Sequence, residues 1–539
     1  MYDYIIVGSG PAGCVLANRL TEDPKVNVLL LEAGQPDRNP LIHMPAGFAK
    51  LTGEAESWGY STAPQKNLNN REIWYPQGKV LGGGSSINAQ VFTRGNPMDY
   101  DEWASEHGCD GWSHADILPY YRRSEDNPRF SNKWHGVGGP LQVSDPEPQA
   151  MTQVFVRACQ EAGFPYNPDF NGEIQEGFGF YQTTTRSGRR SSAPVAYIRP
   201  ALNRANLKVE TNAFVRRIVI ENGRAVGVAL GQSGGGSERI IRSEREVLVS
   251  AGAIGSPKLL LLSGIGPADE LRSLGIGVTA DVAGVGKNLH DHIDLFIISE
   301  CSGDFSFDRY KPLHMTLWAG LQYLMFRKGP AASNLVDGGG FWWADKDARS
   351  PDIQFHFLPG SGLETGVEKI GNGVTLNSAF QRPRSRGSVT LRSADSRDHP
   401  IIDPNYWADP YDQEISIKGF KIARKIMSQP SFRPYIKGEF SPGLDVQTDD
   451  EIAAYARQHA KTDYHPVGTC RMGAPSDPNT VVTPDLKVCN VAGLRVIDSS
   501  IMPQVVSSNT YSPTIMIAEK GADIIRGKKI ENYPSYTAS

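Results

Sequence analysis

The sequence predicts an α/β (α+β) chain of two interleaved domains. One is a Rossmann-like, mostly parallel domain assembled from both ends and the middle of the chain. The other is built on an antiparallel sheet flanked by helices. Three observations carry this. The first thirty-odd residues read strand, glycine turn, helix, strand. The same strand-to-helix grammar returns at Glu246–Ser263 and again at Leu494–Ile525. Between about 290 and 460 the pattern changes to period-two alternation with clustered aromatics, which is how an antiparallel sheet with one covered face is written. The boundaries implied are 1–150, 205–290 and 462–530 for the first domain and 151–204 and 291–461 for the second, with 531–539 as a tail.

Tyr2 to Val7 is an apolar strand that runs into Gly8-Ser9-Gly10-Pro11-Ala12-Gly13. Such a GxGxxG turn lets a pyrophosphate approach the backbone at its second glycine and lets the next helix pack close at its third. The helix expected from Ala12 to Leu20 presents its positive end to that phosphate. A buried strand, Val26 to Leu31, leads to Glu32 and Ala33, and an acidic residue at this distance suits a ribose hydroxyl rather than a 2′-phosphate. The motif by itself leaves NAD and FAD equally open.

Composition narrows the class. With 55 basic and 59 acidic side chains the formal charge is −4, so there is no electrostatic footprint for nucleic acid. The six cysteines, Cys14, Cys109, Cys159, Cys301, Cys470 and Cys489, are widely spaced with no CxxC pair, which predicts neither a disulfide framework nor a zinc site. A strand that starts at Tyr2 leaves no room for a cleaved signal, and no apolar run approaches the roughly twenty residues of a membrane span. A cytoplasmic enzyme acting on a small molecule is expected, a monomer or homodimer whose membrane association is at most peripheral.

Residues 35–77, rich in Pro, Asn and Gly, form a long surface excursion, and loops of that size are usually functional. Gly78 to Ala89 is glycine-dense with no helical or strand period, so backbone must pass close to something there. Helical segments are expected over 99–125, irregular chain over 126–148 and a helix from Met151 to Gly163. Strands follow at Leu207–Glu210, Val215–Glu221 and Val226–Leu230, the last two joined by Asn222-Gly223, a strong hairpin signal. A polar turn at 231–237 precedes the strand Glu246–Ser250 and a helix Lys258–Ser263 with Pro257 at its start, where a missing N–H does no harm. In the second domain, alternation marks Asp352–Leu358, Val374–Gln381 and Ser388–Arg392, and helices are expected near Asp412–Met427 and Asp449–Ala460. The strand Leu494–Asp498, a helix Pro513–Ile525 and a frayed tail from Lys528 close the chain.

Four separated stretches together resemble the glucose–methanol–choline (GMC) oxidoreductases, and the likeness runs from Tyr2 to Gly527. They are the N-terminal fingerprint with Glu32-Ala33-Gly34, the block Gly78–Asn88, the block Gly252–Pro267, and His465-Pro466-Val467-Gly468-Thr469-Cys470 with Asn509 downstream. The resemblance implies bound FAD. The first domain then becomes the FAD-binding one and the second the substrate-binding one. It places Gly8, Ser9, Gly10, Pro11, Ala12, Gly13, Glu32, Ala33, Gly83, Gly84, Asn88, Ala89, Val215, Asp498, Asn509 and Thr510 along the cofactor. Relatives that anchor the flavin covalently use a His where this chain has Ile87, so non-covalent FAD is expected.

The resemblance also makes His465 the catalytic residue, with Asn509 beside it. An imidazole of ordinary pKa about 6.5 can take a hydroxyl proton near neutral pH, and an Asn amide can donate to a developing alkoxide without titrating. Asn288-Leu289-His290-Asp291-His292 lacks a convincing third and fourth ligand and reads as a loop that helps cover the cofactor; no metal is expected. In the variable stretches the likeness is to sorbose-oxidising members. That implies a sugar or polyol primary alcohol as substrate, and a quinone or oxygen as acceptor. Choline, polyethylene glycol and aryl alcohols are the alternatives, and Tyr464, Trp342 and Phe357 are the aromatic substrate candidates. A hydroxynitrile lyase that keeps FAD structurally is a remote alternative, and a nicotinamide-dependent dehydrogenase another.

Overall fold

The computed structural model describes residues 1–53, 55–231, 238–362, 367 and 370–528. Residues 232–237 of the turn expected at 231–237, and the tail from 529 onward, lie outside the described residues. The first sheet has seven strands. Leu207–Glu210, Val28–Leu31, Tyr2–Val7 and Arg239–Val249 lie side by side in parallel, and Leu494–Val496 adds to the far side of the last. Ile5, Ile6 and Val28 to Leu31 are buried on both faces, as the continuous apolar runs of a covered parallel sheet require. The strand Arg239–Val249 is longer than its sequence suggests. Its first half leaves the parallel core to pair antiparallel with Arg224–Leu230, which in turn pairs with Val215–Glu221. The alternating polar residues of that half hide it from a search for apolar runs.

Helix Pro11–Leu20 packs on this sheet and on the C-terminal helix Tyr511–Arg526. Helix Gly252–Leu262 begins six residues earlier than expected, so Pro257 sits inside it. A proline there leaves the Ala253 carbonyl without its i+4 N–H partner. The Thr469 hydroxyl, four residues after His465, donates to that carbonyl at 2.6 Å. The site-bearing segment is thereby tied to the helix.

The second sheet is antiparallel, in the order Ile436–Ser441, Ile293–Cys301, Gly373–Phe380, Ile353–Leu358, Gly338–Trp342 and Gly177–Phe180, with Lys461–Thr462 pairing Ile293–Cys301. Helices Ala150–Glu161, Pro410–Met427 and Asp449–His459 share one apolar core with it. Ser388–Thr390 belongs elsewhere: it pairs only with Ile401–Asp403 in a separate ribbon. Helix Leu313–Phe326 was not legible from periodicity, because its apolar residues run all round it.

Candidate functional site

A cavity of ≈ 370 Å³ runs from the N-terminal fingerprint to the face of the antiparallel sheet. Its walls at the first end are Gly8, Gly10, Pro11, Ala12, Glu32 and Ala33, joined by Gly83, Gly84, Asn88, Ala89, Val215, Asp498, Asn509 and Thr510. Fourteen of the sixteen residues expected along the cofactor therefore line it. Ser9 and Gly13 do not, and the correction has a physical reason. Ser9 is fully buried, and its N–H and hydroxyl donate to the Glu32 carboxylate at 3.0 and 2.6 Å. A Cβ on Gly13 would lie 1.9 Å from the Gly8 carbonyl oxygen, so this glycine serves the packing of helix on strand. Both shape the turn from behind.

The donor set fits a dinucleotide. Helix Pro11–Leu20 starts at Gly10 with no side chain capping it, so its first-turn N–H groups are open to an anion. Helix Tyr511–Arg526 likewise starts uncapped at Thr510, which brings a second positive helix end to the cavity. A Cβ on Gly84 would meet no protein atom within 4 Å and one on Gly10 would meet only the Ser250 carbonyl oxygen, at 4.0 Å. These are lining positions where a side chain would occupy ligand space. Glu32 lines the wall and is held by Ser9 and by the Gly34 N–H at 2.8 Å. Burial pushes its carboxyl above the ordinary range.

Gly83 to Asn88 is set from below by a buried cation that sequence reading missed. Arg190 donates to the Asn88 carbonyl and side-chain oxygen, both at 2.6 Å, and to the Ile42 carbonyl at 2.7 Å. Burial lowers its pKa to about 9. With Oδ1 of Asn88 occupied, its amide NH2 is the group left for a ligand.

At the other end His465 and Asn509 meet, with His465 Nε2 and Asn509 Nδ2 3.1 Å apart. The hydrogen bonds around them determine where each proton sits. Asn509 Oδ1 accepts from Thr93 Oγ1 at 2.9 Å and Gln354 Nε2 at 3.0 Å, so its NH2 faces His465 as a donor. From the other side, His292 Nε2 lies 3.1 Å from the Gln381 carbonyl. A carbonyl can only accept, so that nitrogen carries hydrogen. Burial holds His292 near pKa 3 and hence neutral, which leaves its Nδ1 an acceptor for His465 Nδ1, 3.0 Å away. Both chains give the same answer: His465 is protonated on Nδ1 and presents a lone pair on Nε2. Burial, then His292, His356 and Lys461, push its pKa well below 6.5.

The His465 backbone is fixed as firmly as its ring. Its N–H donates to Asp291 Oδ1 at 2.8 Å, while Asp291 Oδ2 accepts from Tyr75, Tyr406 and Thr462 at 2.8, 2.5 and 2.6 Å. The preceding Tyr464 has φ 66°, a left-handed conformation costly for an aromatic residue. The segment Asn288–His292 is therefore more than a cover: Asp291 and His292 support His465 directly. His292, Asp463 and His465 also place three potential ligand atoms within 4.8 Å. The two Nδ1 atoms already face each other at hydrogen-bond distance, whereas a zinc-like ion would have to sit about 2.0–2.1 Å from each.

Of the aromatic substrate candidates only Tyr464 lines the cavity. Phe357 and Trp342 are corrected: Phe357 is fully buried and stacks on Phe155 at 4.6 Å, and Trp342 packs edge-on against Phe164 at 5.1 Å. The cause is the pleat, since successive residues of Ile353–Leu358 point to opposite faces. Phe355 and Phe357 face the helices; Gln354 reaches Asn509, and His356 and Leu358 face the cavity. His356 and Asn377 join Asp463 there. Each leaves one buried polar atom unpaired, His356 Nε2, Asn377 Oδ1 and Asp463 Oδ2, although Asp463 Oδ2 lies 3.4 Å from His465 Nδ1.

Comparison with known proteins gives the family. Residues 2–294 and 383–518 match the two family models described as GMC oxidoreductase. The chain is 44% identical over 530 residues to an oxygen-dependent choline dehydrogenase of Sinorhizobium medicae (strain WSM419), covering 98% of this chain and 96% of the relative. It is 44% identical over 535 residues to an alcohol dehydrogenase [acceptor] of Pseudomonas putida, covering 97% and 96%. Among solved structures it resembles formate oxidase of Aspergillus oryzae RIB40, with TM-score 0.90, 27% identity and 98% of each chain covered. It also resembles a fungal aryl-alcohol oxidase, with TM-score 0.84, 25% identity and coverage of 97% and 98%. The expected sugar or polyol specificity finds no support in these names.

Proposed function

The chain belongs to the GMC oxidoreductase family, an FAD-dependent enzyme acting on CH–OH donors, and we propose that it oxidises a small primary alcohol with His465 as the base. The carrying observation is the assigned tautomer: a neutral imidazole whose Nε2 lone pair accepts from the Asn509 amide where both residues line the end of the cofactor cavity. FAD, where bound, supplies the hydride acceptor. The chain's own residues do the rest. The alcohol oxygen would sit alongside this pair and replace its direct hydrogen bond, giving its proton to His465 Nε2 and accepting a hydrogen bond from Asn509 Nδ2. His465 then carries a positive charge, which the Nδ1–H bond to His292 and the Asp463 carboxyl 3.4 Å away stabilise. Gly8, Gly10, Pro11, Ala12, Glu32, Ala33, Gly83, Gly84, Asn88, Ala89, Val215, Asp498 and Thr510 would hold the cofactor.

For the substrate, choline leads. The relatives' names favour it, and Asp463 offers an unpaired buried oxygen to a quaternary ammonium. A neutral alcohol is the second reading, favoured by one contact. Lys461 Nζ already lies 5.1 Å from the Tyr464 ring centre, where a choline cation would seek its aromatic face. The test is anaerobic bleaching of the yellow holoenzyme by choline, short aliphatic alcohols, glycols, sorbose and aryl alcohols. Choline should give the highest limiting rate per concentration. Faster bleaching by neutral alcohols transfers the assignment to them, and no bleaching by any of them overturns alcohol oxidation. Reoxidation by a soluble quinone should outrun reoxidation by air, as expected of a dehydrogenase.

A further inference from the structure

Helix Leu313–Phe326 carries its apolar side chains outward. Leu313 is 75% exposed, Leu317 64%, Leu324 67% and Met325 63%, with Trp318 and Leu321 about half exposed or more. Monomers rarely keep a contiguous apolar patch of this kind without using it. On a helical wheel at 100° per residue, Leu313, Leu317, Leu321 and Leu324 fall on one face, flanked by Trp318 and Met325. The two buried side chains, Ala319 and Tyr323, fall on the opposite face. The helix is thus anchored by one edge and presents the other to the surroundings.

Charge says what covers it. From Leu313 to Phe326 there is no Asp, Glu, Lys or Arg, whereas Arg309 and Lys311 precede the helix and Arg327 and Lys328 follow it. Lys311 is paired with Asp308, and Arg309 and Arg327 lie over the rings of Tyr310 and Tyr323. A leucine- and tryptophan-bearing face bracketed by cations suits the boundary of an anionic bilayer, where aromatic rings sit at headgroup level and cations meet lipid phosphates. A protein partner would be expected to leave polar rim contacts along the helix, and this one has only His314, Thr316 and Gln322 as polar side chains apart from Trp318 and the buried Tyr323. No described helix is long and apolar enough to cross a membrane, and fourteen residues lying flat span about 21 Å.

We propose that Leu313–Phe326 is an interfacial anchor that seats this protein on an anionic lipid surface. The anchor bears on the candidate site. Tyr323 Oη donates to the His43 carbonyl at 3.1 Å, and the Pro330–Ala332 turn after the helix packs on Pro45–Gly47, whose neighbours Phe48 and Ala49 line the cofactor cavity. A surface-bound enzyme would hold that cavity next to the apolar phase in which a quinone dissolves. The proposal does not depend on which alcohol is oxidised.

The test uses FAD-loaded full-length protein and flotation with vesicles of phosphatidylglycerol and phosphatidylcholine, against phosphatidylcholine alone. Wild type should float with the anionic vesicles and at least tenfold less with the neutral ones or in high salt. The triple variant Leu317→Ser, Leu321→Ser, Leu324→Ser should stay at the bottom of the gradient, with flavin content and bleaching by alcohol unchanged. Arg327→Glu with Lys328→Glu should lose binding to the anionic vesicles only. Wild type that fails to float overturns the proposal, as does a triple variant that floats like wild type. If sedimentation shows a dimer that the triple variant converts to monomer while wild type ignores vesicles, the face joins two copies instead.

Discussion

The two ends of the cavity are made in opposite ways. At the nucleotide end, backbone does the recognition: two uncapped helix starts and a run of glycines whose missing side chains leave the space. At the alcohol end, buried side chains do it, and several of them are ionisable and shifted by burial: His465, His292 and His356 downward, Asp291 and Asp463 upward. At the first end an added atom meets either the backbone, as at Gly13, or the space a ligand would take, as at Gly84. The second tolerates shape changes better than changes in who holds a proton. Backbone sites fail by steric exclusion, and side-chain sites fail by losing a tautomer or a charge.

The sharpest way to break this contrast is to exchange the failure modes. Gly13→Ala puts a methyl 1.9 Å from the Gly8 carbonyl oxygen, and essentially complete loss of flavin-containing protein is expected; a yellow, stable variant would show that the turn can yield. His465→Ala should leave the flavin in place and cut its limiting reduction by alcohol about 10³-fold, within the range of a lost general base. Next in size is His292→Leu, which removes the acceptor that fixes the His465 tautomer. Reduction should slow about 10–100-fold, as for other groups that orient a reacting imidazole, while the alcohol's apparent Kd from bleaching titrations stays within about twofold. A rise in Kd with an unchanged limiting rate would make His292 a packing residue only. Asp463→Asn should weaken choline about tenfold, or ~1.4 kcal/mol, and leave a neutral alcohol nearly untouched. Equal effects on both would remove Asp463 from the cation's side.

How much of this was legible follows the same division. The fingerprint, Glu32, Gly83–Ala89 and the strands around them were readable because a backbone site is local: its glycines are consecutive and its strand and helix adjoin it. The alcohol end is assembled from residues up to 416 apart, as in Thr93 with Asn509. Spacing carries no trace of such a meeting, and His465 itself was identified through family likeness. His292 is visible in the sequence, but its meaning lies with a partner 173 residues away rather than with its neighbours. Phe357 and Trp342 were misplaced because alternation reveals that a strand has two faces without saying which one looks at the cavity; His356, one residue along, was the better choice. Arg190 gave no signal, since the Arg189-Arg190 pair in a polar stretch reads as surface. Ile87 stands where some relatives carry a covalent link, and acid precipitation should leave all flavin in the supernatant.

The smallest effect, at the alcohol end, separates stability from activity by pH. His292 and His356 are neutral in the folded chain, with pKa values lowered by burial to about 3, against about 6.5 when unfolded. For a histidine whose folded pKa is depressed, the unfolded state binds the extra proton as pH falls, so stability is whole above 6.5 and declines from 6.5 toward 3. Each contributes about 1.4 kcal/mol of loss by pH 5.5, one unit below the unfolded value. His292→Leu deletes one such loss, so the gap between its melting temperature and that of wild type should narrow by ~1–2 °C between pH 7.5 and 5.5. Activity should behave differently over the same interval. With the His465 pKa held well below 6.5, its Nε2 stays a base, and limiting flavin reduction should remain flat from pH 7.5 to 6.5 and fall only further into acid. A half-point at or above 6.5 would mean that His465 is solvated and charged in the resting enzyme, and the tautomer assigned from its neighbours would then fail.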